Sequence, residues 1–263
     1  MAEALALRLA GVGFTRDKRP ILADINWEVA AGQRWVVLGA NGSGKTSLLR
    51  IAALYEHPTI GTVEVLGRRL GRVDVRHMRH LVGFVSPALA QMLRPHLRAV
   101  EVVMTARHGA LEPWWHDYTD DDRERAEKLL EQVGAGGLGE RTIATLSSGE
   151  RQRVQIARSL MTDPGLVLLD EPASTLDLGG REMLVSDLTA LANDPAAPPL
   201  VMVTHRTEEI PAGFTHVLLM RNGQVLAQGP LEDVLTSESL SACFALPLEL
   251  EHRHGRWHSQ ACP

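Results

Sequence analysis

The sequence predicts an α/β fold: a largely parallel sheet with helices on both faces, joined to an antiparallel β portion and a helical insertion. Three observations carry this. Four segments, RWVVLG (34–39), LVGFVS (81–86), LVLLD (166–170) and LVMVTH (200–205), are almost continuously apolar, as strands buried on both faces are. The glycine-rich GANGSGKT (39–46) joins the first of them to the helical pattern TSLLRIAALY. Between residues 98 and 161 the texture becomes helical.

Taken in order, LALRL (5–9) and DINWEV (24–29) alternate in polarity, and TVEVLG (62–67) follows Gly61; these read as half-buried antiparallel strands. LRAVEVVMTARHG is a helix ending at Gly109. TDDDRERAEKLLEQVG opens on Thr119 with acidic residues in its first turn and stops at Gly134. In LSSGERQRVQIARSL (146–160), a small, polar, glycine-containing start precedes Val154, Ala157, Leu160 and Met161 at helix-face spacing. NDPAAPP (193–199) is a loop, and HVLLMRNGQVLAQG (216–229) is a hairpin turning at Asn222-Gly223. The tail EHRHGRWHSQACP carries His252, His254, His258 and Cys262. With no rigid scaffold evident, a flexible terminus is expected there rather than a metal site. Trp114 and Trp115 in EPWWHDY form either a partner-binding patch or a local packing cluster.

Composition narrows the function. The chain has 263 residues and a net charge of −5, which argues against broad binding to nucleic acid or anionic membrane. No run of about 18 apolar residues is present, so no membrane insertion is expected. The start, MAEALALRLAGVGF, lacks a basic region, and no secretory leader is expected. Cys243 and Cys262 are the only two cysteines; they make no disulfide framework and suit a reducing cytoplasm.

GANGSGKT fits the phosphate-loop pattern, in the strand–loop–helix setting that its mechanism needs. The backbone of Gly39, Asn41, Gly42, Ser43 and Gly44 is expected to curl around a β-phosphate, with Ser47 following in the helix. Lys45 reaches β/γ oxygens and Thr46 offers its hydroxyl to Mg²⁺. LVLLDEP delivers Asp170 to a strand end, where it is placed to hold the Mg²⁺ shell, and then Glu171, placed to polarise a water. On its own, such an acidic pair reads equally as a solvated loop. The N-terminus opened by Ser147 and Gly149 suits an anion, although an N-capped core helix explains it as well.

LSSGERQ, followed some twenty residues later by LLDEP, resembles the signature of ATP-binding-cassette (ABC) ATPases, usually L-S-G-G-Q. Ser148 and Glu150 depart from that form. STLD (174–177) is similar to the family's D-loop, His205 to its switch histidine, and Phe14, 31 residues before Lys45, to the aromatic that stacks on adenine, where a plain core aromatic is the other reading. The helical segment falls where the family has its helical subdomain. The resemblance implies a P-loop NTPase with a RecA-like core, an antiparallel β subdomain and an inserted helical subdomain at about 88–161. The ABC ATPase domain then spans 1–245, with a tail at 246–263. It further implies ATP and Mg²⁺ as cofactors, Glu171 as general base and His205 as γ-phosphate sensor. Two cassettes, in a homodimer or a heterodimer, close head to tail, so that Ser147, Gly149 and Glu150 of one face the phosphates held by Lys45 of the other. One departure is larger. Where the family usually has a Mg²⁺-binding glutamine, this chain has Pro87, with Gln91 the next glutamine. With the THRTEEIPAGFTHVLLMRNGQVLAQG segment, this is similar to a soluble subset akin to molybdate-uptake-associated ATPases. The expected function is ATP hydrolysis by the energising subunit of a transporter whose permease is another chain, in the cytoplasm or at the membrane's inner face. The alternatives are a permease-free ATPase acting on a cytosolic macromolecule, or an ATP-gated binding module with little turnover.

Overall fold

The computed structural model describes residues 4–262. Residues 1–3, the start of the segment read for a leader, and Pro263 lie outside the described residues. Two long strands, β1 (Leu5–Arg16) and β2 (Arg19–Ala30), meet at Asp17-Lys18, both at positive φ, the tight hairpin whose twist matches its strands. Then come β3 (Arg34–Leu38), α1 (Lys45–Ala52), β4 (Ile60–Val65), β5 (Arg68–Arg69), α2 (Val75–Arg79) and β6 (Val82–Val85). Four helices follow: α3 (Pro87–Met92), α4 (Ala99–Thr105), α5 (Asp120–Gln132) and α6 (Ser148–Leu160). The chain re-enters the core through β7 (Leu166–Asp170), α7 (Leu178–Asn193) and β8 (Leu200–Thr204). It then forms β9 (His216–Arg221) and β10 (Gln224–Pro230), turning at Asn222-Gly223, and ends with α8 (Leu231–Val234), α9 (Ser237–Phe244), β11 (Leu248–Arg253) and β12 (Arg256–Ala261).

The alternating segments make a four-stranded antiparallel sheet, in the order β2-β1-β4-β5. The continuously apolar ones make a six-stranded sheet, β10-β9-β3-β8-β7-β6, parallel except for β10. Apart from the edge strand β10, its strands are largely buried on both faces, and alternate residues feed two cores. Val36 and Leu38 of β3 pack with the helices α4–α7, whereas Trp35 and Val37 pack with α1 and the antiparallel sheet. This two-sided burial is why the sequence shows runs rather than alternation. The helix punctuation is also as the sequence indicates: a Thr119–Asp122 capping box opens α5, and Gly109 and Gly134 take positive φ after their helices.

The tail differs from expectation. Residues 248–261 are an antiparallel hairpin, turning at His254-Gly255 with positive φ at both, and Leu248, Leu250 and Trp257 pack against the helical core. Its apolar side chains alternate, and burial of that face orders what reads as a polar terminus. His252 stacks on the Trp257 ring, at 4.4 Å between centroids, and among the described residues no three His, Cys, Asp or Glu side chains gather as a metal site. Trp114 and Trp115 are 65% and 85% exposed, so the packing alternative for that pair is not what forms.

Candidate active site

The phosphate loop runs from the end of β3 into α1, and its glycines are steric necessities. A Cβ on Gly39 would lie 2.4 Å from the Met220 carbonyl oxygen; Gly44 has φ +100° and would press a Cβ to 2.7 Å from Leu22. Lys45 is buried, and its ammonium donates to the loop's own Gly39 and Ala40 carbonyls at 2.8 and 3.0 Å. Burial holds its pKa below the usual lysine value, against the pull of Glu171 and Asp170. Asn41, Gly42 and Thr46 stay exposed at the rim, Ser47 is half-buried, and the buried Ser43 hydroxyl has no protein partner. An anion in the cradle gives the Ser43 hydroxyl an acceptor and draws Lys45 off its carbonyls, so the residues fit a polyphosphate.

β7 delivers Asp170 beside the loop. The Thr46 hydroxyl donates to Asp170 Oδ1 at 3.1 Å, joining two residues that stand 124 positions apart. Burial pushes the Asp170 carboxyl up to about 6 and Glu171 adds to this, while the Thr46 hydrogen bond and the Lys45 and Arg50 charges work against it. A desolvated carboxylate next to a hydroxyl on an open corner is where a small hard cation relieves the burial cost. That corner is a cavity of about 240 Å³, lined by Thr46, Arg50, Ser86, Pro87, Asp170 and Glu171. Arg50, one helical turn beyond Thr46, belongs to no motif in the sequence; only its i+4 spacing from Thr46 marks it.

Glu171 has φ +45°, a conformation that costs a non-glycine residue of the order of 1 kcal/mol or more and is found where a site over-determines the backbone. Its amide donates to Val203 of neighbouring β8, and its Oε1 lies 3.6 Å from His205 Nδ1, which has no hydrogen-bond partner within the chain. STLD follows: Ser174 N donates to the Glu171 carbonyl, and Asp177 caps α7 by accepting from Gly180 N at 2.7 Å.

Phe14 is a half-buried ring on β1, packed at the edge of the core and paired in register with Leu22, the residue that abuts Gly44. The Arg16 guanidinium sits 5.4 Å over its centroid. Ser86 caps α3, its Oγ accepting from Leu89 N, and Pro87 occupies the first helical position, so the exit from β6 is a capped helix start rather than a free loop. Gln91 faces a second cavity of about 540 Å³, shared with Ser148, Gln152, Asp170, Glu171 and Ser174. At the signature segment Ser147 and Glu150 form a capping box: Ser147 N donates to Glu150 Oε2 at 2.7 Å and Glu150 N to Ser147 Oγ at 3.2 Å. Backbone hydrogen bonding holds the Glu150 carboxyl below its usual range, and Arg141 pairs with it.

A cradle for phosphates and a hydroxyl–carboxylate corner for a cation, sharing the carboxyl ends of parallel strands, define a P-loop nucleoside triphosphatase. Comparison narrows the class: the chain belongs to the ABC transporter family, whose model matches residues 22–174. It is 39% identical over 247 residues to the ABC transporter ATP-binding protein YlmA of Bacillus subtilis (strain 168), spanning 94% of this chain and 93% of that one. It is 31% identical over 254 residues to the hemin import ATP-binding protein HmuV of Rhodococcus jostii (strain RHA1), over 95% and 83% of the two chains. A metal-chelate type ABC transporter solved in an inward-facing conformation superposes with a TM-score of 0.76 at 26% identity, over 98% of this chain and 97% of that one. A dimeric ATP-binding cassette in a post-hydrolysis state, bound to ADP and Pi, superposes at 0.72 with 25% identity, over 86% and 98%. The chain is thus an ABC ATPase, the ATP-binding, energising subunit of a transporter.

Proposed function

We propose that the chain binds Mg²⁺–ATP at residues 39–47, hydrolyses it between two cassettes, and so drives import of a solute through a separate permease chain. The observation that carries this is the 3.1 Å bond between Thr46 and Asp170, with Glu171 and His205 just beyond on adjacent strand ends. The backbone of Gly39, Asn41, Gly42, Ser43 and Gly44, with Ser47, wraps the phosphates, and Lys45 exchanges its carbonyl partners for β/γ oxygens. Thr46 and Asp170 would hold Mg²⁺, which would supply charge neutralisation for the phosphates. Glu171 accepts the proton of the attacking water, His205 contacts the γ-phosphate, and Phe14 stacks on the base once Arg16 moves aside. Ser147 and Gly149 of a second cassette close over the phosphates, and Glu150 keeps that loop in shape through its cap.

Support for the dimer comes from the superposing cassette solved as one. Support for import comes from relatives named as import proteins, for hemin and, at 33% identity, for phosphonates. Among the described residues no helix is long and apolar enough to cross a membrane, so we assign membrane passage to the permease and place this subunit at the cytoplasmic face. The relatives are named for transporters, which disfavours a permease-free role. Calorimetric titration with ATP tests the site: Lys45→Ala should weaken binding about tenfold or more. Unchanged affinity would remove the phosphate loop from the account.

A further inference from the structure

The C-terminal hairpin makes contacts that none of the roles above uses. β12 lies along residues 207–209, the turn that follows His205. The Thr207 hydroxyl donates to Ser259 Oγ at 2.9 Å, and Ser259 N donates to Glu208 Oε1 at 3.4 Å. Arg256, at the start of β12, donates to the Glu182 carboxylate through Nη1 at 2.9 Å and Nη2 at 3.3 Å, and through Nη2 also to the Glu208 carbonyl. Glu182 sits in the second turn of α7, the helix capped by Asp177 of the STLD segment. A second tie lies one residue further: buried Glu209 accepts from the Thr204 hydroxyl, and Arg181 of α7 stands 3.7 Å from it. The turn after His205 is therefore gripped between α7 and the hairpin. Among the described residues, Arg256 is the hairpin side chain that bonds both α7 and this turn.

Magnitude decides what this arrangement does. Glu182 is 51% exposed and Arg256 24%, so solvent screens the pair and keeps its contribution to stability small. That is too little for a clamp whose purpose is to keep the chain folded. A planar fork with acceptors on two separate elements instead fixes one against the other. We propose that Arg256 is a positioning residue: it sets residues 205–209 against α7, so that His205 is delivered to Glu171 and the γ-phosphate in step with the STLD segment. This rests on the reading of His205 as γ-phosphate sensor.

The test uses the full chain carrying Arg256→Ala, Arg256→Lys, His205→Ala, and the His205→Ala/Arg256→Ala pair. Arg256→Ala should lower kcat about tenfold, leave KM for ATP within about twofold and barely move Tm, because a lost geometric contact is felt in the transition state. Amide hydrogen exchange at 205–209 should quicken, Arg256→Lys should recover part of kcat, and Arg256→Ala should cost nothing further once His205 is alanine. If His205→Ala is impaired while Arg256→Ala keeps wild-type kcat and exchange, the positioning role falls and the sensor stands. An Arg256→Ala loss undiminished on the His205→Ala background also overturns the role, since Arg256 would then act through another route. Wild-type turnover by His205→Ala would overturn the sensor reading and the proposal with it.

Discussion

His205 Nδ1 stands 3.6 Å from Glu171 Oε1, the two side chains emerging from the ends of neighbouring parallel strands β8 and β7. Asp170 is in register with Val203, so one strand delivers both carboxylates, Asp170 and Glu171, and its neighbour delivers the histidine. The strained φ of Glu171 turns its carboxylate out of the strand direction and toward that histidine. The two side chains face each other across the strand ends.

The buried Asp170 predicts a stability trade against metal binding. Its folded carboxyl sits at about 6, above the ordinary 3.8. A carboxyl raised on folding costs nothing below the unfolded pKa, where both states are protonated, and its full penalty above the folded one. The shift corresponds to about 3 kcal/mol at neutral pH. In EDTA at pH 7.5, Asp170→Asn should therefore raise Tm, and the gain should shrink steadily toward pH 4.5. With Mg²⁺–ATP present the order should reverse, wild type gaining more, and that advantage should fade as pH drops through about 6, because the cation needs the ionised form. Thermal melts across pH decide; a variant less stable than wild type in EDTA at pH 7.5 would show that burial is not the dominant influence on Asp170.

Self-association should follow nucleotide. In a Glu171→Gln background, Mg²⁺–ATP should shift the chain from monomer to dimer in sedimentation, and Ser147→Arg should block the shift. Loss of the helix cap alone costs about 1 kcal/mol, so Ser147→Ala, which keeps the approach open, is the control and should still dimerise. A dimer equally populated without nucleotide and indifferent to Ser147→Arg would contradict closure through this loop.

Pro87 makes a prediction about what is not needed. Ser86 spends its acceptor on the α3 cap, and Gln91 looks into the neighbouring cavity rather than the Thr46–Asp170 corner. Mg²⁺ retains water readily, so Ser86→Ala and Gln91→Ala should each hold Mg²⁺-dependent turnover within about threefold of wild type. A loss of tenfold or more, about 1.4 kcal/mol of barrier, in either would show that the segment still supplies a ligand.

The parts legible in the sequence are those written locally. The β1, β2 and β4 strands show in their alternation, the phosphate loop in eight consecutive residues, and α5 in its Thr119 cap and Gly134 stop. What depended on long-range pairing did not show. Nothing in 216–221 indicates that β9 lies parallel beside β3, since that pairing spans some 180 residues. The approach of His205 to Glu171 likewise follows from the order of strands rather than from either segment. The hairpin at 248–261 was legible in principle: Leu248, Leu250, Trp257 and Ser259 alternate about a His-Gly turn, but the histidines gave it the look of a polar tail. Arg256 could not be read at all, because its partners Glu182 and Glu208 are brought to it only by the fold.

The central claim is that Glu171 takes the proton from the attacking water at an ATP site built on Lys45, Thr46 and Asp170. Steady-state phosphate release and ATP affinity of Glu171→Gln, measured beside wild type, test it most directly. The amide keeps the shape but cannot accept the proton, so turnover should fall about a hundredfold or more while ATP binds within about threefold of wild type. Near-wild-type phosphate release by Glu171→Gln would contradict it.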